Sequence, residues 1–302
     1  MKVLIASSSL VARPITDWLM SSPHSVVGAL TTPDAPKGRG RALTENEFAR
    51  LAHSYSIPVF KADSADEIFR AVSDSKAEIV VTASYGRIIR KRELEAPMHG
   101  WLNIHFSLLP RWRGASPVQR AIECGDTSTG VTVFRLDEGM DTGPIFAATQ
   151  YELNGDEKSD TLLVKLSEIS VEPLSRALEL IESGAEPIAQ QSMNVTLAPK
   201  ITKEEGRIDW MSSNIEIERK IRAFWPWPTA WSSINGSRVS IISAELSAEV
   251  LNPGCISFDK NLIVGCGEGS LNVLEVKPEG KRAMPSLDWL RGARLSKDAR
   301  FV

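Results

Sequence analysis

Asn103, His105 and Asp141 are the residues whose types and spacing could do chemistry in this chain of 302 residues. In Asn103-Ile104-His105-Phe106-Ser107-Leu108-Leu109-Pro110-Arg111-Trp112-Arg113-Gly114 the asparagine and histidine stand two apart. On an extended strand both side chains therefore leave one face, while Leu102, Ile104 and Phe106 leave the other. A polar pair at the carboxyl end of a strand in an open α/β sheet sits where such folds hold ligands. Asp141 follows in Leu136-Asp137-Glu138-Gly139-Met140-Asp141-Thr142-Gly143-Pro144, a strand end running into a glycine-flanked loop. Paired with His105, it would form a general acid/base couple. Each residue also has a plainer reading. An isolated histidine more often satisfies backbone groups nearby, and Asp141 alone reads equally well as a turn residue. The shared face of Asn103 and His105, and the loop behind them, favour a site.

A second stretch, Thr32-Pro33-Asp34-Ala35-Pro36-Lys37-Gly38-Arg39-Gly40-Arg41, carries three cations on a chain broken by proline and glycine. It suits tracking of phosphates, although such runs are commonly solvated surface loops. The net charge of −3 means that the overall field does not attract a polyanion, so any such partner needs a local basic patch. The end of the chain offers another in Lys281, Arg282, Arg291, Arg294, Lys297 and Arg300, unless these only solubilise the surface.

The elements that must position these residues read as two parts. Short β-branched runs alternate with helical spacing over the first two thirds, which predicts an α/β fold with a mostly parallel sheet. Strands are expected at Lys2 to Ala6, Val26 to Thr31, Ile57 to Phe60, Glu78 to Thr82, Trp101 to Phe106 and Gly130 to Leu136, with helices at Val11 to Met20 and Glu45 to Tyr55. A helix over Asp160 to Glu182, kinked at Pro173, closes the first domain. The division is residues 1–185, a polar linker over 186–206, and a second domain over 207–302. Beyond Phe224-Trp225-Pro226-Trp227-Pro228, whose aromatics read as domain-packing anchors, short strands separated by turns give a small β-barrel pattern.

Several function classes drop out. The turn after the first strand is Ala6-Ser7-Ser8-Ser9-Leu10, without the G-x-G-x-x-G that lets a backbone approach a dinucleotide pyrophosphate. No P-loop occurs. The three cysteines, Cys124, Cys255 and Cys266, include no C-x-x-C pair, and no histidine spacing suggests a metal. No run reaches the length needed to cross a bilayer, and the opening Met-Lys-Val-Leu-Ile-Ala is too short for a secretory signal, so a cytoplasmic protein without membrane partners is expected.

The residues Asn103, His105, Ser107 to Pro110, Arg111 to Gln119 and Asp141-Thr142-Gly143 resemble the folate-dependent formyltransferase family, and in particular the branch acting on methionyl-tRNA. The resemblance covers nearly the whole chain. It implies a Rossmann-like formyltransferase domain followed by a small OB-like β-barrel domain. It also implies that Asn103, His105 and Asp141 are the catalytic trio and that Ser107, Leu108, Leu109 and Pro110 line the folate site. Lys37, Arg39 and Arg41 would lie on the loop that approaches tRNA. The implied reaction moves the formyl group of 10-formyltetrahydrofolate, a cosubstrate with no tightly bound cofactor beside it, to the amino group of initiator methionyl-tRNA for translation initiation, in a monomer. Two departures stand out: Ser7-Ser8-Ser9 replaces a Gly-Thr-Pro common in the family, and Phe106 replaces a glycine. They bear on the shape of the pockets. A formyltransferase for a small amine, a hydrolase of the formyl donor, or a tRNA-binding protein with a degenerate pocket are the alternatives, and the intact trio speaks against the last.

Overall fold

The computed structural model of the chain describes residues 1–37, 42–296 and 298–302, without the side chain of Lys37. Arg39, Arg41 and Lys297, three of the expected phosphate-binding cations, lie outside the described residues. The described residues form two compact units, the first built from residues 1–117, 128–152 and 163–198, the second from 118–127, 153–162 and 199–302.

The first unit contains β1 (Lys2–Ala6), α1 (Arg13–Ser21), β2 (Ser25–Thr31), β3 (Ala35–Lys37), β4 (Ala42–Thr44), α2 (Glu47–Ser54), β5 (Val59–Lys61), α3 (Ala65–Ser75), β6 (Ile79–Thr82), α4 (Lys91–Leu94), β7 (Trp101–His105), β8 (Arg113–Gly114), β9 (Ser128–Arg135), β10 (Ile145–Glu152) and β11 (Leu197–Ala198). α5 (Pro117–Cys124), α6 (Ser159–Ile169) and α7 (Val171–Glu182) complete the chain to residue 198. Among the described residues the main sheet has the order β10-β9-β7-β6-β1-β2-β5. β5, β2, β1, β6 and β7 run parallel, and β9 runs against β7 and β10.

This order follows from burial. Val3, Leu4, Ile5 and Ala6 are all fully buried, as a central strand covered on both faces must be. The strand order reverses between β1 and β6, so the crevice at their carboxyl ends is where a fold of this kind binds ligands. Leu4, Leu30, Ile68, Val72, Val80 and Trp101 pack on one side, and the Trp101 indole donates to the Glu93 carbonyl at 2.7 Å. Helix starts are written locally: Asn46 caps α2, and Ser64 with Glu67 forms a capping box on α3. The two backbone N–H groups donated to Glu67 hold its carboxyl down at about 2.

The mostly parallel sheet agrees with the sequence; α3, α5 and the β3–β4 pair were not expected, and two further details differ for identifiable reasons. The single kinked helix is two helices, broken at Ser170, so that Pro173 falls in the first turn of α7. Its missing N–H costs nothing there, because first-turn donors have no partner within the helix. β10 was not expected; its alternating exposure beyond Ala147 belongs to an edge strand whose pattern is too polar to read.

The second unit holds α8 (Asn214–Ala223), β12 (Ala230–Ile234), β13 (Ser237–Ser247), β14 (Ile256–Ser257), β15 (Leu262–Gly265), β16 (Ser270–Pro278), β17 (Met284–Pro285) and α9 (Ser286–Ala293). Among the described residues its antiparallel sheet has the order β12-β13-β16-β15-β14, with β17 added to β16. Register shifts near Ser243 bend the long β13, and the expected OB-like barrel is realised as a curled half-barrel. The two helices were not expected. α8 starts at a Ser213–Glu216 capping box and buries Ile217 and Ile221, and Trp289 of α9 packs on Phe301. Among the described residues, no helix is long and apolar enough to cross a membrane.

Candidate active site

β7 delivers Asn103 and His105 to one cavity, as their spacing predicts, and the loop after β9 brings Asp141 to the same place. The cavity has a volume of about 410 Å³, and its lining includes Thr82 at the end of β6, Ser84 to Arg87, Ile89, Asn103 to Phe106, Leu136 and Asp141. It opens at the carboxyl ends of the parallel strands, beside the switch in strand order.

His105 is buried, and its ring orientation is fixed. Nε2 lies 2.8 Å from the Trp112 carbonyl oxygen. A carbonyl only accepts, so Nε2 carries the proton and Nδ1 keeps its lone pair in the neutral ring. Nδ1 faces Asp141 Oδ2 at 3.7 Å, beyond hydrogen-bond distance. Burial lowers the imidazole pKa from its ordinary value, ahead of the opposing attraction of Asp141 and of the bond to Trp112. The ring is therefore neutral at pH 7, with an acceptor turned towards a second acceptor. A group bearing N–H donors is attracted to both.

Asp141 takes a left-handed backbone conformation with φ of 52°, and its Oδ2 accepts from the Gly114 N–H at 2.7 Å. The ring of Phe134, the β9 residue opposite Asn103, stands nearly perpendicular to that of His105, with centroids 6.4 Å apart. Asn103 is partly exposed in the cavity, and among the described residues no hydrogen bond engages its side-chain amide.

Ser107, Leu108, Leu109 and Pro110 do not line this cavity. They form a tight turn, closed by the Arg111 N–H donating to the Leu108 carbonyl at 3.0 Å. Thr132, opposite His105 on β9, donates its hydroxyl to the Ser107 carbonyl at 2.7 Å and accepts from the Leu109 N–H at 3.1 Å. Ser107 Oγ donates to the Arg111 carbonyl at 2.6 Å. The turn so fixed leads into Trp112, whose carbonyl orients His105. The cavity walls come instead from Tyr85, Ile89, Phe106 and Leu136, and burial pushes the Tyr85 hydroxyl pKa up. Trp112 and Gly114 act through backbone atoms, for which a sequence carries no signal beyond the glycine. Of the expected phosphate-binding residues, the backbone of Lys37 pairs with Ala42 in the β3–β4 hairpin.

Comparison with known proteins gives the family. Residues 1–178 match the family described as formyl transferase, and residues 200–294 match the formyl transferase C-terminal domain. A methionyl-tRNA formyltransferase of Arthrobacter sp. (strain FB24) is 39% identical over 296 residues, which is 97% of each protein. Among solved structures, HypX from Aquifex aeolicus in complex with tetrahydrofolic acid superposes with a TM-score of 0.69 at 20% identity, over 96% of this chain. The match takes in only 47% of HypX, so this chain spans about half of that protein's length. The methionyl-tRNA formyltransferase of Clostridium thermocellum, at 18% identity and a TM-score of 0.60, is matched over 91% of this chain and 99% of its own. At these identities the solved structures speak to the fold alone, while the two family matches and the Arthrobacter relative are decisive: the chain belongs to the formyl transferase family.

Proposed function

We propose that the chain transfers the formyl group of 10-formyltetrahydrofolate to the amino group of initiator methionyl-tRNA, with Asn103, His105 and Asp141 at the reacting carbon. The observation that carries the chemistry is the convergence of an unengaged amide, a neutral imidazole acceptor and a carboxylate in one cavity. The near full-length likeness to the Arthrobacter enzyme supports the choice of acceptor.

The formyl donor supplies an electrophilic carbon whose oxygen gains negative charge as an amine adds, while the amine nitrogen gains positive charge. Asn103 donates its amide N–H to that oxygen. His105 Nδ1 takes the proton from the nitrogen, because its other nitrogen is committed to Trp112. Asp141 then stabilises the imidazolium that the transfer creates. The tetrahedral adduct collapses as the bond from the formyl carbon to N10 of the donor breaks, and N10 takes that proton back from His105 Nδ1 and leaves as tetrahydrofolate, which returns the imidazole to its neutral form. The cavity fits the donor: Tyr85, Ile89, Phe106 and Leu136 give apolar surface for a flat ring, beside the polar groups of Asn103, His105 and Asp141. On this reading Ser107 to Pro110 serve the folate site by fixing the turn that leads into Trp112.

Because burial sets the direction of the His105 shift, the base is unprotonated at neutral pH and becomes protonated only below its ordinary 6.5. A pH profile of kcat/KM is expected to stay level through neutrality and to fall on an acidic limb with a midpoint below 6.5. A midpoint above that value would exclude Nδ1 as the base.

Residues 1–185 thus carry the chemistry, residues 186–206 join the two parts, and residues 207–302 with Lys37, Arg39 and Arg41 meet the tRNA phosphates. Formyl transfer from 10-formyltetrahydrofolate is to be followed with charged initiator tRNA, charged elongator tRNA and small amines as acceptors. Product is expected with initiator Met-tRNA, and KM for tRNA should rise at least about tenfold between roughly 50 and 200 mM salt, as counterion release at several phosphates requires. Transfer to a small amine but not to Met-tRNA would overturn the acceptor assignment.

A further inference from the structure

The segment from 186 to 198, which the sequence shows only as a polar connection, belongs to the first unit and is tied to the rest of it by hydrogen bonds. Ile188 exchanges both backbone hydrogen bonds with Ile145, at 2.7 and 2.8 Å. Thr196 Oγ1 accepts from the Trp112 N–H at 2.8 Å, and the Thr196 carbonyl accepts from the Arg113 N–H at 2.9 Å. Between these points Gln190 turns its side chain onto the loop that carries Asp141.

We propose that Gln190 is a positioning residue for the formyl transfer, holding the Asp141 loop so that its carboxylate faces His105. Its Nε2 donates to the Asp141 carbonyl at 2.9 Å and to the Gly143 carbonyl at 2.7 Å. Its Oε1 accepts from Arg113 Nε at 3.1 Å and Nη2 at 2.7 Å. All four hydrogen-bonding sites of the amide are thereby used, two donors against carbonyls and two lone pairs against a guanidinium fork. Only an amide can present this combination, and asparagine lacks the reach. The clamp acts where the chain needs it, because φ of 52° is sparsely populated for a residue with a side chain and must be held by its surroundings. Asp141 is thus fixed from two sides: Gln190 grips its backbone, and the Gly114 N–H grips Oδ2.

The inference rests on the assignment of Asp141 and His105 above, and a readout other than turnover separates the two. Asp141 raises the His105 pKa against the effect of burial, and the other named contacts of the ring are the Trp112 carbonyl and the Phe134 side chain, neither of which titrates. A loosened Asp141 therefore shifts the His105 midpoint to lower pH. The ring nitrogens of His105 are to be titrated by NMR, alongside pH profiles of kcat, in the wild type, Gln190→Met and Asp141→Asn. Gln190→Met is expected to lower kcat at least about tenfold, to leave KM for the formyl donor within about twofold, and to move the His105 midpoint in the same direction as Asp141→Asn. Wild-type kcat and an unmoved midpoint in folded Gln190→Met would overturn the positioning role. A shifted midpoint in both variants with undiminished kcat in Asp141→Asn would leave the positioning intact and overturn the catalytic role of Asp141. Should Gln190→Met fail to fold, Gln190→Glu keeps the shape and the pairing with Arg113 and loses both donors to the loop. Wild-type kcat in that variant would equally overturn the proposal.

Discussion

Alanine at His105 is expected to lower kcat by at least about a hundredfold, since on the proposed mechanism it removes the group that takes the proton from the attacking amine. Asp141→Asn is expected to cost as much, because it takes away the charge that stabilises the imidazolium while keeping the shape of the side chain. Asn103→Ala, which withdraws a donor from the developing oxyanion, belongs in the same range. Single-turnover formyl transfer with saturating donor measures all three without interference from product release. The sizes are not additive, since the three groups act on one transition state, so a His105→Ala/Asp141→Asn double variant should lose little more than the worse single one. Near-normal turnover in Asp141→Asn would remove that residue from the mechanism. Near-normal turnover in His105→Ala would remove the proposed base itself.

The second large effect comes from a residue without a side chain. Gly114→Ala would place a Cβ 2.5 Å from the backbone oxygen of Ala198 and 3.0 Å from its carbon, at a φ of 127° that side-chain-bearing residues rarely adopt. Backbone cannot swing aside as a flexible side chain can, so β8 must separate from β11. The expected cost is about 2 to 4 kcal/mol of stability, read from chemical denaturation. The Gly114 N–H is also the donor that holds Asp141 Oδ2, so kcat of the folded variant should fall at least about tenfold even where stability is restored by low temperature. A variant with wild-type stability would show that the β8–β11 contact yields easily, and one with wild-type kcat would show that Asp141 does not depend on this anchor.

Both expectations depend on how the site is built, and only part of that was legible in the chain. Asn103 and His105 could be read as partners because a strand repeats every two residues, and their common face does not depend on the rest of the fold. The ends of β1 were legible for a related reason: it is a short apolar run closed by turn residues. β10 and the break at Ser170 were not, because an edge strand can be polar and because proline is as acceptable in a first helical turn as it is disruptive later. Gln190 lies 49 residues from Asp141 in a segment whose composition suggests only a connection. Nothing in its neighbours along the chain distinguishes it from any exposed glutamine.

By itself the sequence determined the two-part organisation, the strand that presents Asn103 and His105, the absence of dinucleotide and P-loop motifs, and the family to which the chemistry belongs. The first three follow from local periodicity and from residue types at fixed spacing, and the family from the resemblance carried by the motifs between Asn103 and Gly143. Tertiary structure alone decided that His105 is neutral with Nε2 bound to Trp112, that Tyr85 to Arg87 and Ile89 line the cavity while Ser107 to Pro110 do not, and that Gln190 hydrogen-bonds to the Asp141 loop. The reason is physical: burial sets the charge of a histidine, and burial together with backbone hydrogen bonds between segments far apart in the chain exists only once the chain has closed on itself.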